Sequence, residues 1–220
     1  MLRNTTLIVI FLLFMASAQA NPNTLEQSAN SSSQTVGADT SLQPLSFPKD
    51  ISVLAKLLTD VDASSAKPGD AVRAEVIEDL KSGHQLLLQK GSLLSGHVVD
   101  VEQFSSENPK STVVILFDQV TLKNGEQRSS NIGIQAIAPA EGTRTDAEVN
   151  PSIHVHDMKG TVGPLDHKSL GAYGMPGVSL AYVATKKKGN ASLIKFATGN
   201  VRLKKGMQVV FSTMGQTEPS

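Results

Sequence analysis

The chain has 220 residues, 20 basic against 20 acidic side chains, and no cysteine. It therefore cannot form a disulfide in an oxidising compartment, and its balanced charge gives no electrostatic reason to expect nucleic acid or a membrane surface as partner. Aromatic residues make up only 4% and Trp is absent, which disfavours the stacking platforms of sugar-binding and single-strand-binding proteins.

Residues 1–20 read as a secretory signal peptide. Arg3 is the only charge among them; an apolar run Leu7–Ala16 follows, and Ala18-Gln19-Ala20 is a small-x-small end. The run is short for a span, which takes about 20 apolar residues. The expectation is a mature chain starting at Asn21, exported to the periplasm or beyond, with no later membrane-spanning segment. Losing Arg3 leaves 19 basic against 20 acidic residues.

Residues 21–46 read as a flexible tether. Of these 26 residues, 18 are Ser, Thr, Asn, Gln, Pro or Gly, too polar a composition to offset chain entropy by burial.

Residues 47–214 carry the texture of one all-β domain, a small barrel or sandwich of roughly eight to ten short strands, before a tail at 215–220. Ile51, Val53, Ala55 and Leu57 alternate as in a strand reaching about Val61, although Leu54 and Leu58 also fit a helical face. After the Pro68-Gly69 break, Val72, Ala74 and Val76 alternate with Arg73 and Glu75. Turns at Lys81-Ser82-Gly83 and Lys90-Gly91 flank Leu86–Leu88, and a strand then reaches Val101. Val113–Phe117 is a continuous apolar run, as in a strand buried on both faces, so Val114, Leu116 and Phe117 are expected in the core. Asn124-Gly125 is the best hairpin signal, and its return strand runs to about Ile137.

From Ala138 to Val178 periodicity disappears and 10 of 41 residues are Gly or Pro. This is a long irregular insertion, of the sort that is usually functional or disordered in compact domains. It is the stretch expected to reach a partner. Strand texture returns at Val178–Ala184, turns at Lys186–Asn190 and comes back at Ala191–Ala197. Val201–Leu203 and Met207–Phe211 close the domain.

The order Pro68-Gly69-Asp70, Leu86-Leu87-Leu88-Gln89-Lys90-Gly91-Ser92, Leu93–Val98, Val114–Val120 and Lys123-Asn124-Gly125, with the closing Asn200–Phe211, resembles the barrel domain of TrbI-like conjugal-transfer proteins, the scaffold subunits of type IV secretion core complexes. It is still more similar to small exported bacterial proteins of unassigned function with the same turns. The resemblance covers about Ile51–Ala138 and Val178–Thr213, and implies a β-barrel scaffold without catalysis. Two departures are visible: a cleavable signal replaces the scaffold's membrane anchor and proline-rich stalk, and the insertion lacks its apolar helix pair.

Candidates for chemistry are few. His154-Val155-His156 puts two imidazoles on one face of an extended chain, so the pair could hold zinc or copper with Asp157, Asp166 or His167 as a third ligand. Solvated loop histidines are the commoner outcome. His84 lies beside a turn, and His97 reads as a sheet residue. Ser179 in Gly177-Val178-Ser179-Leu180-Ala181 only half matches a nucleophile elbow, which needs a following helix. Lys186–Lys188 suits a solvated hairpin tip whose charges discourage edge pairing.

The reading from sequence is thus a non-enzymatic exported envelope protein, with no catalytic residue and no cofactor, that binds another envelope protein or itself. The alternative is a small-molecule or metal-binding module built on His154 and His156.

Overall fold

Short alternating strands separated by tight turns close on themselves here rather than stack as two layers. The structure is a computed structural model. It describes residues 42–45, 47–48, 51–145, 160–185 and 189–213, which belong to one compact unit. In chain order the strands are β1 (Ser52–Leu57), β2 (Val61–Asp62), β3 (Ala71–Val76), β4 (Leu80–Ser82), β5 (Gln85–Leu88), β6 (Leu93–Glu102), β7 (Ser111–Thr121) and β8 (Gln127–Ala138). Then follow β9 (Arg144–Thr145), β10 (Gly160–Thr161), β11 (Gly171–Ala172), β12 (Val178–Thr185), β13 (Gly189–Phe196), β14 (Arg202–Leu203) and β15 (Gln208–Thr213).

The main sheet runs β11-β8-β15-β1-β3-β6-β7-β13-β12, and a further β7–β8 pairing shuts six of these strands into a barrel. Every neighbour within the ring is antiparallel. Of barrel and sandwich, the first is the fold, and the closing ladder Phe117↔Ile132 to Thr121↔Gln127 decides it.

Alternation fills the interior. Val72, Ala74 and Val76 of β3 point inward while Ala71 and Arg73 stay exposed. β7 is apolar on both sides because both sides are covered. Val113, Ile115 and Phe117 line the barrel interior. Val114 and Leu116 lie beneath Ala191, Val99, Val183 and Leu193 on the outside. At the tip of the β7–β8 hairpin, Gly125 sits at φ 86°, its N–H donates to Leu122 O, and the Asn124 side chain accepts from Glu126 N–H.

β1 is a strand, with no trace of the helical alternative, but it stops at Leu57 and not near Val61. Thr59 Oγ1 accepts the Arg73 N–H at 3.0 Å, so a side chain replaces the next ladder bond. Asp60 Oδ1 accepts from Lys205 N–H at 2.6 Å, and Val61 begins β2, which pairs with β14.

β7 forks the sheet. Its second half pairs with β8, and its first half pairs with β13. Beyond the fork the Ile134 N–H of β8 is satisfied by Ser192 Oγ of β13 at 2.7 Å. The parallel β11 takes up the register Gly171↔Ala136 and Ala172↔Ile137 farther along β8. Residues 43–45, the end of the segment read as a tether, are held along β8: Ser129 N–H donates to Gln43 O and Ser129 O accepts from Leu45 N–H.

Candidate functional site

The histidine pair proposed from sequence, His154 and His156, lies outside the described residues, as does Asp157. The other suggested ligands have different work. Asp166 Oδ1 accepts from Ser169 Oγ and from Lys168 N–H, both at 2.9 Å. Those bonds, the serine hydroxyl first, hold its carboxyl below the ordinary carboxylate value. His167 donates from Nδ1 to the Ser52 carbonyl at 3.0 Å, and its Nε2 stands 3.5 Å from Glu78 Oε2. Among the described residues no three His, Cys, Asp or Glu side chains gather as a metal site. Ser179 pairs with Lys195 within a β-hairpin, so no strand-to-helix elbow forms. His84 is exposed at the β4–β5 turn.

The insertion is tied down where it is described. Val162, Leu165 and Tyr173 cover Ala136, Ala138 and Val210 on the outer wall of β8 and β15. Two glutamines fasten this strap. Gln208 accepts from Leu165 N–H at 2.9 Å and donates to Gly163 O at 3.0 Å and Pro139 O at 3.2 Å. Gln135 donates to Ser169 O at 2.9 Å and His167 O at 3.2 Å. Gln135 is an extra residue in β8: the register with β15 passes from Ala136↔Val210 to Ile134↔Phe211, and such bulges re-aim a side chain.

A second bulge shapes the other side of the barrel. Asp118 is extra with respect to β6, where Ser95↔Gln119 is followed by Gly96↔Phe117. Across on β8, Ser130 and Asn131 stand opposite Asp118 alone. A shallow cleft of about 490 Å³ opens there, lined by Leu42, Asp118, Gln119, Ser129 and Ser130. His97 Nδ1 is 3.9 Å from Asp118 Oδ2. Ser130 Oγ and Asn131 Oδ1 are buried, with no hydrogen-bond partner among the described residues. Gly96 makes the bulge possible, because a Cβ there would lie 2.2 Å from Leu116 O and 2.9 Å from Phe117 Cα.

The third feature is an open main-chain edge. β12 ends the main sheet, and among the described strands it pairs with β13 alone. Ala197 N–H donates to Gly177 O, so the hydrogen-bonded pairs of this ladder fall on odd-numbered β12 residues. The N–H and C=O of Leu180, Tyr182 and Ala184 therefore point away from β13, and no backbone partner meets them among the described residues. β12 contains no charged side chain, and Ser179, Ala181, Tyr182 and Ala184 are exposed. Tyr182 is 46% exposed and its hydroxyl reaches Ser212 Oγ at 3.2 Å. This is the geometry of an acceptor for an added strand.

No family model matches the chain, and no curated protein matches it. Among solved structures, ComB10 of the Com type IV secretion system of Helicobacter pylori is similar, at 11% identity over 76% of this chain and 86% of that one, with a TM-score of 0.38. A superposition that loose carries no argument, and the barrel stands on its own strand pairing. No helix among the described residues is long and apolar enough to cross a membrane.

Gln135 and Gln208 gave no sign of their roles in the sequence. Each is one polar position in a strand with a solvent-facing side, and only the strap turns that side into an interior. The β12 edge was half legible: the strand was expected, but which of its edges stays open depends on the fork in β7.

Proposed function

We propose that this chain is a non-enzymatic, exported scaffold domain of the bacterial envelope that joins another envelope protein by main-chain pairing along β12. The observation that carries this reading is the outward-facing backbone of Leu180, Tyr182 and Ala184 on an uncharged eight-residue strand. Strand addition draws affinity from main-chain hydrogen bonds and specificity from the side chains of alternate positions, and it needs no polar pocket. The signal-peptide pattern of residues 1–20 and the likeness of the motifs to a secretion scaffold support the compartment and the role.

A photo-crosslinking side chain placed at Ala184 in the native envelope tests it. The expected result is a mature chain starting at Asn21, crosslinked to a discrete envelope protein, with the same placement at exposed Lys110 giving none. Recovery of Met1 on membrane-bound material would refute export. Loss of binding together with a stoichiometric metal when His154 and His156 are replaced by Ala would make the metal module the better account.

A further inference from the structure

The segment that leads into β1 works as part of the barrel wall. β15 spans Gln208–Thr213, and its ladder with β8 reaches Ile132. β8 begins at Gln127, so residues 127–131 lie past that ladder. Beside them runs an arm made of residues 42–45 and 47–48. It is parallel to β8, with Pro44 opposite Ser129. Ser129 gives both main-chain groups to the arm: its N–H donates to Gln43 O at 3.0 Å, and its O accepts from Leu45 N–H at 2.8 Å. Ser129 Oγ adds a bond to Leu42 O at 3.5 Å. Pro44 falls on the position whose nitrogen faces away from β8, so its missing N–H costs this pairing nothing.

Two side chains anchor the arm. Leu45 and Phe47, two residues apart, both pack half-buried against the barrel core. Thr213 fastens the passage into β1, with Oγ1 donating to Pro48 O and its N–H to Ile51 O, both at 3.2 Å. The hold is nevertheless slight. The arm meets β8 at one bridge, whereas β1 and β15 pair from Ser52↔Ser212 to Lys56↔Gln208. Segments with few bonds and half-buried anchors open at low free energy. Everything the arm offers, main-chain groups and two alternate apolar side chains, is chemistry that another extended segment can supply.

We infer that the edge of β8 at residues 127–131 is a strand-acceptor site, that the arm guards it in cis, and that on release it takes a parallel, extended segment of a partner protein with bulky apolar side chains two residues apart. An uncovered strand edge is a template for unwanted pairing, so a guard that comes off only for a matching segment keeps the edge safe and usable. Pairing here does not require the β12 edge.

The peptide Leu-Gln-Pro-Leu-Ser-Phe-Pro copies residues 42–48 and serves as the probe in fluorescence anisotropy with the full mature chain. The chain has no cysteine, so Pro44→Cys with Ser129→Cys places one disulfide across the bridge, within the reach of directly paired residues. Oxidised, this variant holds the arm in place and should bind the peptide at least about tenfold more weakly than when reduced. Leu45→Ser with Phe47→Ser should free the site and bind about tenfold tighter than the natural chain. In hydrogen exchange, that variant should lose protection at Ser129 N–H and regain it with the peptide, while β3 stays protected. A peptide N-methylated at its second Leu should not bind, because that nitrogen is the donor to Ser129 O; nor should one with Ser in place of that Leu and of Phe.

Equal binding to the oxidised and reduced forms would overturn the guard, and the comparison uses a single chain whose disulfide itself reports that the arm is seated. Absence of binding to every form would overturn the acceptor site. Loss of binding in Ala184→Pro would place the peptide on β12 and overturn this site while leaving edge pairing at β12 intact. If a Pro44→Cys chain mixed with a Ser129→Cys chain gives disulfide-linked dimers as the main product, the arm of a second copy holds the site and the guard in cis falls.

Discussion

The ring of Phe117 stands edge-on to that of Phe211, with 4.7 Å between centroids and 73° between planes. Phe117 lies on β7 and Phe211 on β15, the two strands that flank β8 where the barrel closes. Both are completely buried. The pair joins the two sides of the closing seam through the core while β8 joins them through hydrogen bonds. Phe117→Ala should cost about 3–5 kcal/mol, from lost burial and the cavity left behind. A double-mutant cycle with Phe211→Leu should show a coupling of about 0.5–1.5 kcal/mol for the ring–ring contact. Urea titration of the four proteins measures both. A loss below about 1 kcal/mol for Phe117→Ala would contradict this placement of the ring.

Gly96 should tolerate no side chain. Its backbone approaches β7 so closely that an added Cβ would sit 2.2 Å from the Leu116 carbonyl oxygen. The obstacle is backbone, held by ladder bonds on both sides, so neither a rotamer change nor a small shift relieves it. Gly96→Ala should therefore exceed the ~1–3 kcal/mol typical of overpacking, and Gly125→Ala should cost less, because only its φ of 86° is strained and nothing lies within 4 Å. Thermal melts of the two variants side by side give the ordering. The reverse order would mean that β6 and β7 do not approach as described.

Much of this barrel could be read from residue order alone, and the reason is local. The run Val113–Phe117 announces a strand covered on both faces, and β3 announces one covered on one face, because each pattern reports its own surroundings. Asn124-Gly125 announces a hairpin because the turn needs that chemistry in place. What stayed illegible is decided at a distance. Residues 58–60 look able to continue β1, yet Thr59 and Asp60 are diverted by Arg73 and Lys205 from elsewhere in the chain. The choice of barrel over sandwich rests on β7 meeting β8 through half its length only. The strap reads as featureless because Val162, Leu165 and Tyr173 follow no period; they match a wall of β8 and β15 and not a regular element of their own.

Acid should loosen the end of the barrel at β2 and β14. The carboxyl of Asp62 is held below its ordinary value of 3.8, chiefly by the Ser64 hydroxyl and then by Ser64 N–H, with Arg202 adding a smaller effect. Asp60 is likewise lowered, chiefly by the Lys205 N–H. A carboxylate whose folded value is depressed adds stability that is fully present above the unfolded value and is lost as pH falls through the folded one. The urea midpoint should thus be flat from neutral pH down to the approach to 3.8 and decline below it. Asp62→Asn should shrink that decline. A midpoint that falls between pH 7 and 5 would assign the acid sensitivity to other groups.

Gln208 should be the residue that decides whether the strap stays on the barrel. Its side chain is 8% exposed and makes three hydrogen bonds, all to backbone groups of residues 139–165. Leu165 N–H has no other partner among the described residues, so truncation leaves a buried donor unsatisfied. Gln208→Ala should cost about 1–3 kcal/mol for that reason. The loss should be local, because Val209 and Phe211 of β15, and Met207 just before it, face the core and remain in place. Hydrogen exchange reads the distinction. Protection at Leu165 and at Tyr173, whose N–H donates to Ile137 O, should fall, while protection in β3 and β6 should hold. Gln208→Glu provides the control for shape. It keeps the acceptor for Leu165 but replaces the donor to Pro139 and Gly163 by a carboxylate facing two carbonyls, so it should release the strap as well. If both variants leave exchange at Leu165 unchanged, the strap is fixed by its apolar contacts alone and the glutamine is incidental.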